Sequence, residues 1–272
     1  MVRSMRLLSF SIEEGPPRAG ICEGDAVHDT GLTMRELLAR GRDRVRPLRT
    51  YGRDELTLLP AVPDPGKIMC IGRNYREHAA EQGADAPEQP LVFAKYASAL
   101  ITGGQAIRLS PLTERVDWEA ELAVVIGRAG ADIAEADAWA HVGGYAVIND
   151  VSARDLQRGD GQWTRAKSLD TFAPLTSELV TADEIPDPHA LRIRCWVNDT
   201  LMQDSTTGNM IHRIPALIAH LSAAFTLRPG DLIATGTPAG VGAFRDPPVF
   251  LAHGDVVRCE VEHVGVLENP VE

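Results

Sequence analysis

The sequence predicts a β-rich α+β protein made of a small N-terminal α+β unit and a larger catalytic domain. Three observations carry the prediction. Eight strand-like runs fall between residues 67 and 261 with only short helical patterns among them, so the strand–helix alternation of a doubly wound sheet is missing. The stretch Pro60-Ala-Val-Pro-Asp-Pro-Gly66 breaks the chain, which places a boundary near residue 62, with units 1–62 and 63–272. The length of 272 residues exceeds one average domain of about 150 residues and falls short of two.

In the first unit, residues 5–12 read as a strand. The runs 19–22 and 26–29 flank Gly24-Asp25, which predicts a hairpin. Thr33-Met-Arg-Glu36 is a capping box that opens a helix over 34–40, stopped by Gly41, and a basic stretch follows from Arg42 to Arg53. In the second unit the predicted strands are 67–72, 91–95, 119–126, 144–150, 191–197, 201–204, 231–235 and 256–261. Asn198-Asp199 turns the fifth into the sixth. Short helices are expected at 75–82, 133–141, 152–157 and 214–225, the second of them capped by Asp132 with Glu135.

The net charge of −11 argues against a nucleic-acid partner, which leaves a basic footprint. Residues 1–60 carry ten Arg against nine acidic residues, so the acidity belongs to the remainder. No run of 18 apolar residues offers a membrane span, and the N-terminus lacks the pattern of a secretory signal. Cys22, Cys70, Cys195 and Cys259 form no C-x-x-C motif and read as reduced thiols of a cytoplasmic protein, the last three as core residues. Only three lysines occur beside 24 arginines: Lys67, Lys95 and Lys167. A position that keeps Lys under such a bias is a candidate for a compact ammonium.

Four segments can carry chemistry. In Asp117-Trp-Glu119-Ala-Glu121-Leu-Ala-Val-Val-Ile126, Glu119 and Glu121 share one face of a strand, and side-by-side carboxylates repel unless solvent or a cation lies between them. They are either ligands for a hard divalent cation or an exposed acidic strand end. Asp150, at the end of an apolar strand, is placed to add a third carboxylate, although acidic residues there are also common turn formers. Three carboxylates plus water suit Mg²⁺ or Mn²⁺, and no His/Cys cluster suits zinc. His78 and Glu81 stand i, i+3 on a short helix, the spacing of a general-base pair and also of many surface helices. Lys167, in Trp163-Thr-Arg-Ala-Lys167, is a cation suited to a carboxylate or a developing enolate. Ala234-Thr-Gly-Thr237-Pro-Ala-Gly-Val-Gly242 allows close backbone approach but matches neither phosphate-binding loop.

Together the stretches IGRNYREHAAE, DWEAELAVVIG, GGYAVINDVSARDLQ, QWTRAKSLDTFAP and ATGTPAGVG, in this order over residues 63–266, resemble the fumarylacetoacetate hydrolase family and its acylpyruvase, fumarylpyruvate hydrolase and 2-hydroxyhepta-2,4-diene-1,7-dioate isomerase-like members. The resemblance implies a mixed β-sandwich roll, usually a homodimer, and Mg²⁺ or Mn²⁺ held by Glu119, Glu121 and Asp150. It implies a water-activating pair at His78 and Glu81 on a lid, an enolate-stabilising Lys167, and a 2-oxo acid bound near Arg154, Gln157 and Thr237. Arg73 and Lys95 lie in matching segments. The implied reaction is metal-dependent hydrolysis of a C–C bond in a 2,4-dioxo acid such as fumarylpyruvate, through a metal-bound pyruvate enolate, in aromatic catabolism. Oxaloacetate decarboxylation and dienedioate isomerisation are the alternatives that use the same enolate. The acyl group stays open, with Arg73, Arg76 and Arg158 available to a distal carboxylate. The implied partner is a small 2-oxo acid, with no nucleic acid and no membrane.

Overall fold

The computed structural model describes residues 6–81, 83 and 85–272. Met5 and Gln82, at the ends of two predicted elements, lie outside the described residues. The main elements, in chain order, are β1 (Arg6–Ser11), β2 (Arg18–Glu23), β3 (Ala26–Asp29), α1 (Met34–Arg40), β4 (Arg49–Gly52), β5 (Ile68–Gly72), α2 (Arg76–Glu81), β6 (Leu91–Lys95), β7 (Ala120–Ile126) and β8 (Val142–Asn149). They continue with α3 (Arg154–Asp160), α4 (Thr164–Lys167), β9 (Glu178–Thr181), β10 (Arg192–Val197), β11 (Thr200–Thr206), α5 (Ile214–Ala224), β12 (Leu232–Ala234), β13 (Val256–Val261) and β14 (Gly265–Pro270).

Local sequence accounts for several of these directly. The Thr33 hydroxyl accepts the Glu36 N–H while the Glu36 carboxylate accepts the Thr33 N–H, and Gly41 ends α1 at φ +82°. Gly24, at φ +62°, turns β2 into β3, and Asn198, at φ +54°, turns β10 into β11. The predicted cap at Asp132 does not form. Asp132 takes φ +48°, and the segment becomes a 3₁₀ turn, Glu135–His141, preceded by Ala134 without a side-chain cap. The Asp132 N–H instead donates to the Ser222 carbonyl and the Ile133 N–H to the Ser222 hydroxyl, so this segment is tied to α5. The predicted helix at 152–157 starts later, because Ser152–Ala153 pair with Val116–Asp117 before α3 begins.

Two main sheets organise the described residues, beside two short two-stranded pairings. The larger has the order β4-β3-β2-β1-β9-β8-β7-β12-β5-β6, with Thr57–Leu58 alongside β1. Only β12 and β5 run parallel among its neighbours. The smaller has the order β11-β10-β13-β14. Strands β1–β4 of the first sixty residues thus join the large sheet through the β1–β9 pairing, Arg6 opposite Val180 and Leu8 opposite Glu178.

Strand β7 lies at the centre of this architecture and is buried at all seven positions. Leu122 and Val124 pack with Ile193, Val257 and Val261 of the smaller sheet. Ala123 and Val125 pack on the other side with Leu37, Ile68 and Leu232. A strand covered on both faces needs a continuous apolar run, which explains why the alternation of a half-exposed strand is missing after Glu121. The buried free thiols of Cys70, Cys195 and Cys259 belong to these two cores. No helix among the described residues is long and apolar enough to cross a membrane.

Candidate active site

The antiparallel pairing of β7 with β8 sets Ala120 opposite Asn149, and the Asp150 N–H donates to the Glu119 carbonyl at 2.9 Å. This register brings the carboxylates of Glu119, Glu121 and Asp150 together, with one oxygen from each lying within 4.8 Å of the others. All three side chains are buried. Three more elements deliver charge to the cluster. Lys95, at the end of β6, donates to Asp150 Oδ1 at 2.6 Å. Lys167, in α4, donates to Glu119 Oε2 at 2.7 Å and Asp150 Oδ2 at 2.8 Å. Arg154, at the start of α3, pairs with Glu119 at 2.7 Å and with Asp117 at 2.8 Å.

Glu121 stands apart. It accepts the Gly236 N–H at 2.8 Å and has no ion pair among the described residues. Burial pushes its carboxyl well above the ordinary range, and the charges of Asp150 and Glu119 push it further. For Glu119 burial acts in the same direction, but Lys167 and Arg154 outweigh it and hold the carboxyl at about 2. Burial disfavours the Lys167 ammonium, and Asp150 and Glu119 more than restore it. Four buried acids (Asp117, Glu119, Glu121 and Asp150) therefore face three buried cations, Lys95, Arg154 and Lys167. With all four acids ionised, the cluster is one positive charge short. A donor set of carboxylate oxygens with that deficit fits a hard divalent cation, and it fits zinc poorly because neither His nor Cys takes part.

The second group of residues comes from the segment after β5. Asn74 braces it, donating to the Thr235 carbonyl at 2.7 Å and accepting the His212 N–H at 2.8 Å. On α2, His78 Nδ1 lies 3.1 Å from Glu81 Oε2, and Glu81 Oε1 accepts the Gly240 N–H at 3.0 Å. The predicted pair therefore meets, and Glu81 also ties α2 to the glycine loop. His78 is buried, with the Phe244 ring edge-on at 6.0 Å.

A cavity of about 280 Å³ opens between the two groups. His78, Glu119, Arg154 and Lys167 form its polar wall, and Phe93, Trp163 and Phe244 its apolar wall. Gln157 and Thr237 also reach it, as does Arg73, held in the left-handed region at φ +55°. The Thr237 hydroxyl is occupied, donating to the Ala120 carbonyl and accepting from Gln203. Gln157 accepts from Arg154 Nη1 at 3.1 Å, while Arg154 Nη2 is buried without a hydrogen-bond partner among the described residues. Arg154 lines the cavity, where a guanidinium suits an anionic oxygen of a ligand.

Sequence reasoning passed over the supporting residues. Asn149 Oδ1 accepts the Glu119 N–H, and the buried Gln203 side chain bridges Ala120, Thr237 and Pro238. The one available signal was Gln203 itself, a polar residue on the inward phase of a strand whose partners Ile193, Cys195 and Val197 point into the core.

A buried carboxylate triad, a His–Glu pair and a buried arginine gathered beside one cavity make up the candidate active site. Residues 67–272 match the family model for the fumarylacetoacetate (FAA) hydrolase C-terminal domain. The chain belongs to the fumarylacetoacetate hydrolase family and is an enzyme of that family. It is 45% identical to the protein named oxaloacetate tautomerase fahd2, mitochondrial, of Xenopus laevis, over 98% of this chain and 90% of that protein. Among solved structures, a putative HpcE protein from Mycobacterium smegmatis superposes with a TM-score of 0.90 at 36% identity, covering 98% of this chain and 99% of that one. Fumarylacetoacetate hydrolase from Exiguobacterium antarcticum superposes with a TM-score of 0.85 at 34% identity, covering 99% of each chain.

Proposed function

We propose that this chain is a divalent-metal-dependent enzyme that interconverts the keto and enol forms of oxaloacetate. The observation that carries the reading is the triad of Glu119, Glu121 and Asp150, one cation short when fully ionised, beside Arg154, whose Nη2 has no hydrogen-bond partner among the described residues. The name of the Xenopus relative supports the choice of substrate. Glu119, Glu121 and Asp150 would hold Mg²⁺ or Mn²⁺, which supplies Lewis-acid charge that acidifies the C–H beside a ketone.

The chain's own residues do the rest. Arg154 Nη2 takes a carboxylate oxygen of the acid. Glu81 fixes the His78 ring through Nδ1, and Nε2 removes the proton from C3 and delivers it to the 2-oxo oxygen, which becomes the enol hydroxyl; the reverse path carries the hydroxyl proton back to C3. Lys167 places a positive charge beside the oxygen on which negative charge grows, an interaction stronger in the transition state than in the ground state. Phe93, Trp163 and Phe244 limit the access of water.

A second reading, hydrolysis of an acylpyruvate, rests on the same His78–Glu81 pair, which is equally suited to deprotonating water, and on the likeness to the Exiguobacterium hydrolase. Under either reading the ligand is a small 2-oxo acid, and the assembly is a homodimer. We place the enzyme in the cytoplasm on the strength of its four buried free thiols, although the Xenopus relative is named as mitochondrial.

One experiment separates these readings. Decay of enol-oxaloacetate absorbance and pyruvate release from a panel of acylpyruvates are followed with Mg²⁺ and again with chelator. Metal-dependent loss of the enol without acylpyruvate cleavage is the expected result. Acylpyruvate cleavage as the faster reaction would transfer the assignment to hydrolysis, and pyruvate release from oxaloacetate alone to decarboxylation.

A further inference from the structure

We infer that Arg158 selects substrates that carry a second carboxylate, so that Arg154 and Arg158 together measure a short 2-oxo dicarboxylate. The inference rests on the 2-oxo acid reading above and adds a specificity residue to it. Arg154 and Arg158 are i, i+4 on α3 and both line the cavity. Residues at that spacing share a helix face with Cβ atoms roughly 5–6 Å apart. The two differ in setting. Arg154 is buried against the carboxylate cluster, whereas Arg158 is exposed at the cavity mouth.

They also differ in engagement. Arg154 is committed to Asp117 and Glu119, and Lys167 to Glu119 and Asp150. Arg158 has no hydrogen bond or ion pair among the described residues, in a chain with a net charge of −11. The nearby acids are taken. Asp160 is bound by Arg165 through both oxygens, and Asp155 accepts the Thr113 hydroxyl and the Glu114 N–H. A guanidinium that finds no counter-ion beside two carboxylates on its own helix is left to an anion that arrives in the cavity. With one carboxylate on Arg154, a chain of three or four bonds, roughly 4–5 Å from carboxyl to carboxyl, points the second at the next turn.

The test uses two unreactive ligands that differ only in the second acid. Oxamate presents a 2-oxo carboxylate alone, and N-oxalylglycine adds a carboxymethyl group. Their dissociation constants are measured by calorimetry on the Mg²⁺-loaded protein, for wild type, Arg158→Gln and Arg158→Lys. Wild type is expected to prefer N-oxalylglycine by between about 5-fold, the value of an exposed ion pair, and about 100-fold, that of a desolvated charge-assisted hydrogen bond. Arg158→Gln should collapse this ratio, and Arg158→Lys should restore part of it. Both ligands binding with the ratio unchanged in Arg158→Gln would overturn the role of Arg158 and leave the 2-oxo acid site standing. Failure of wild type to bind either ligand would overturn both.

Discussion

Replacing Glu121 by Gln is expected to make the metal-free protein more stable while removing its response to metal. In the native cluster, oxygens of Glu119 and Asp150 lie within 4.8 Å of a Glu121 oxygen; Glu119 is paired with Arg154 and Lys167, and Asp150 with Lys95 and Lys167. At an effective dielectric constant of about 20, one such repulsion is about 3 kcal/mol, and Lys167 and the Gly236 N–H return part of the total. The carboxyl escapes the repulsion by keeping its proton. At pH 7.5 that costs at most about 4 kcal/mol relative to a carboxyl of ordinary pKa, about 4.3. The net cost to the metal-free fold is thus about 1–4 kcal/mol. Glutamine keeps the shape and the acceptor for Gly236 without the charge. At about 2–4 °C per kcal/mol for a chain of this size, the variant should melt about 2–16 °C above wild type in chelator.

Metal reverses the order. Mg²⁺ at a hundredfold excess over its dissociation constant stabilises wild type by about 2.7 kcal/mol, and the variant should gain little. The pH dependence has a defined sign. Because the folded-state pKa of Glu121 lies above its unfolded value, its contribution is fully present below the unfolded pKa and is lost as pH rises through the folded one. The gap in favour of the variant should therefore widen from pH 5 to pH 8. Differential scanning fluorimetry with EDTA and with Mg²⁺ reads all of this. A variant that melts at or below wild type in EDTA, or that shifts equally with Mg²⁺, would refute the charge-deficit argument.

Lys167→Ala should lose about 10²–10³-fold in turnover while calorimetry still detects Mn²⁺ binding, since the carboxylates remain; near-normal turnover would remove Lys167 from the mechanism. Glu81→Gln should slow proton transfer by about 10²-fold or more and spare metal affinity, and an unchanged rate would show that the pair is idle. His189 is pushed below the usual histidine range by burial and by Arg213, while its Nε2 accepts the Ile214 N–H. The unfolded chain therefore takes up a proton that the folded one refuses as pH falls below about 6.5. Urea midpoints should drop between pH 7.5 and 5.5 and drop less in His189→Gln; parallel curves would contradict the assignment.

The fold was legible where local rules dominate. The capping box of α1, the Gly24 and Asn198 turns and strand β6 stand where the residues placed them. It was illegible where tertiary pairing decides. Strand β9 is four residues long, β4 lies in an arginine-rich stretch and β14 ends on a proline, so none carries a run long enough to announce itself. The Asp132 cap does not form in a segment whose Asp132 and Ile133 N–H groups are bound by a residue remote in sequence, Ser222. At the site, Glu119 and Glu121 were readable because two acids in phase on an apolar strand conflict with burial unless something compensates them. Arg154 was read as a substrate contact, and the structure adds its grip on Asp117 and Glu119. That grip depends on α3 lying across Asp117, which no spacing along the chain reveals.

The continuity of the large sheet from β9 into β1 bears on how this protein can be cut. The family model begins at residue 67, which makes excision of the catalytic part from there attractive. Such a fragment would lose β1, leaving one side of the four-residue β9 with open N–H and C=O groups, a template for joining other chains edge to edge. It would also uncover Ala123 and Val125 where Met34 and Leu37 now pack, and release Glu178 from Arg6 and Arg53. The N-terminal unit is thus the selvedge of the enzyme's fabric. A replacement unit from elsewhere would be tolerated only if it brought its own strand in the register of Leu7 opposite Leu179.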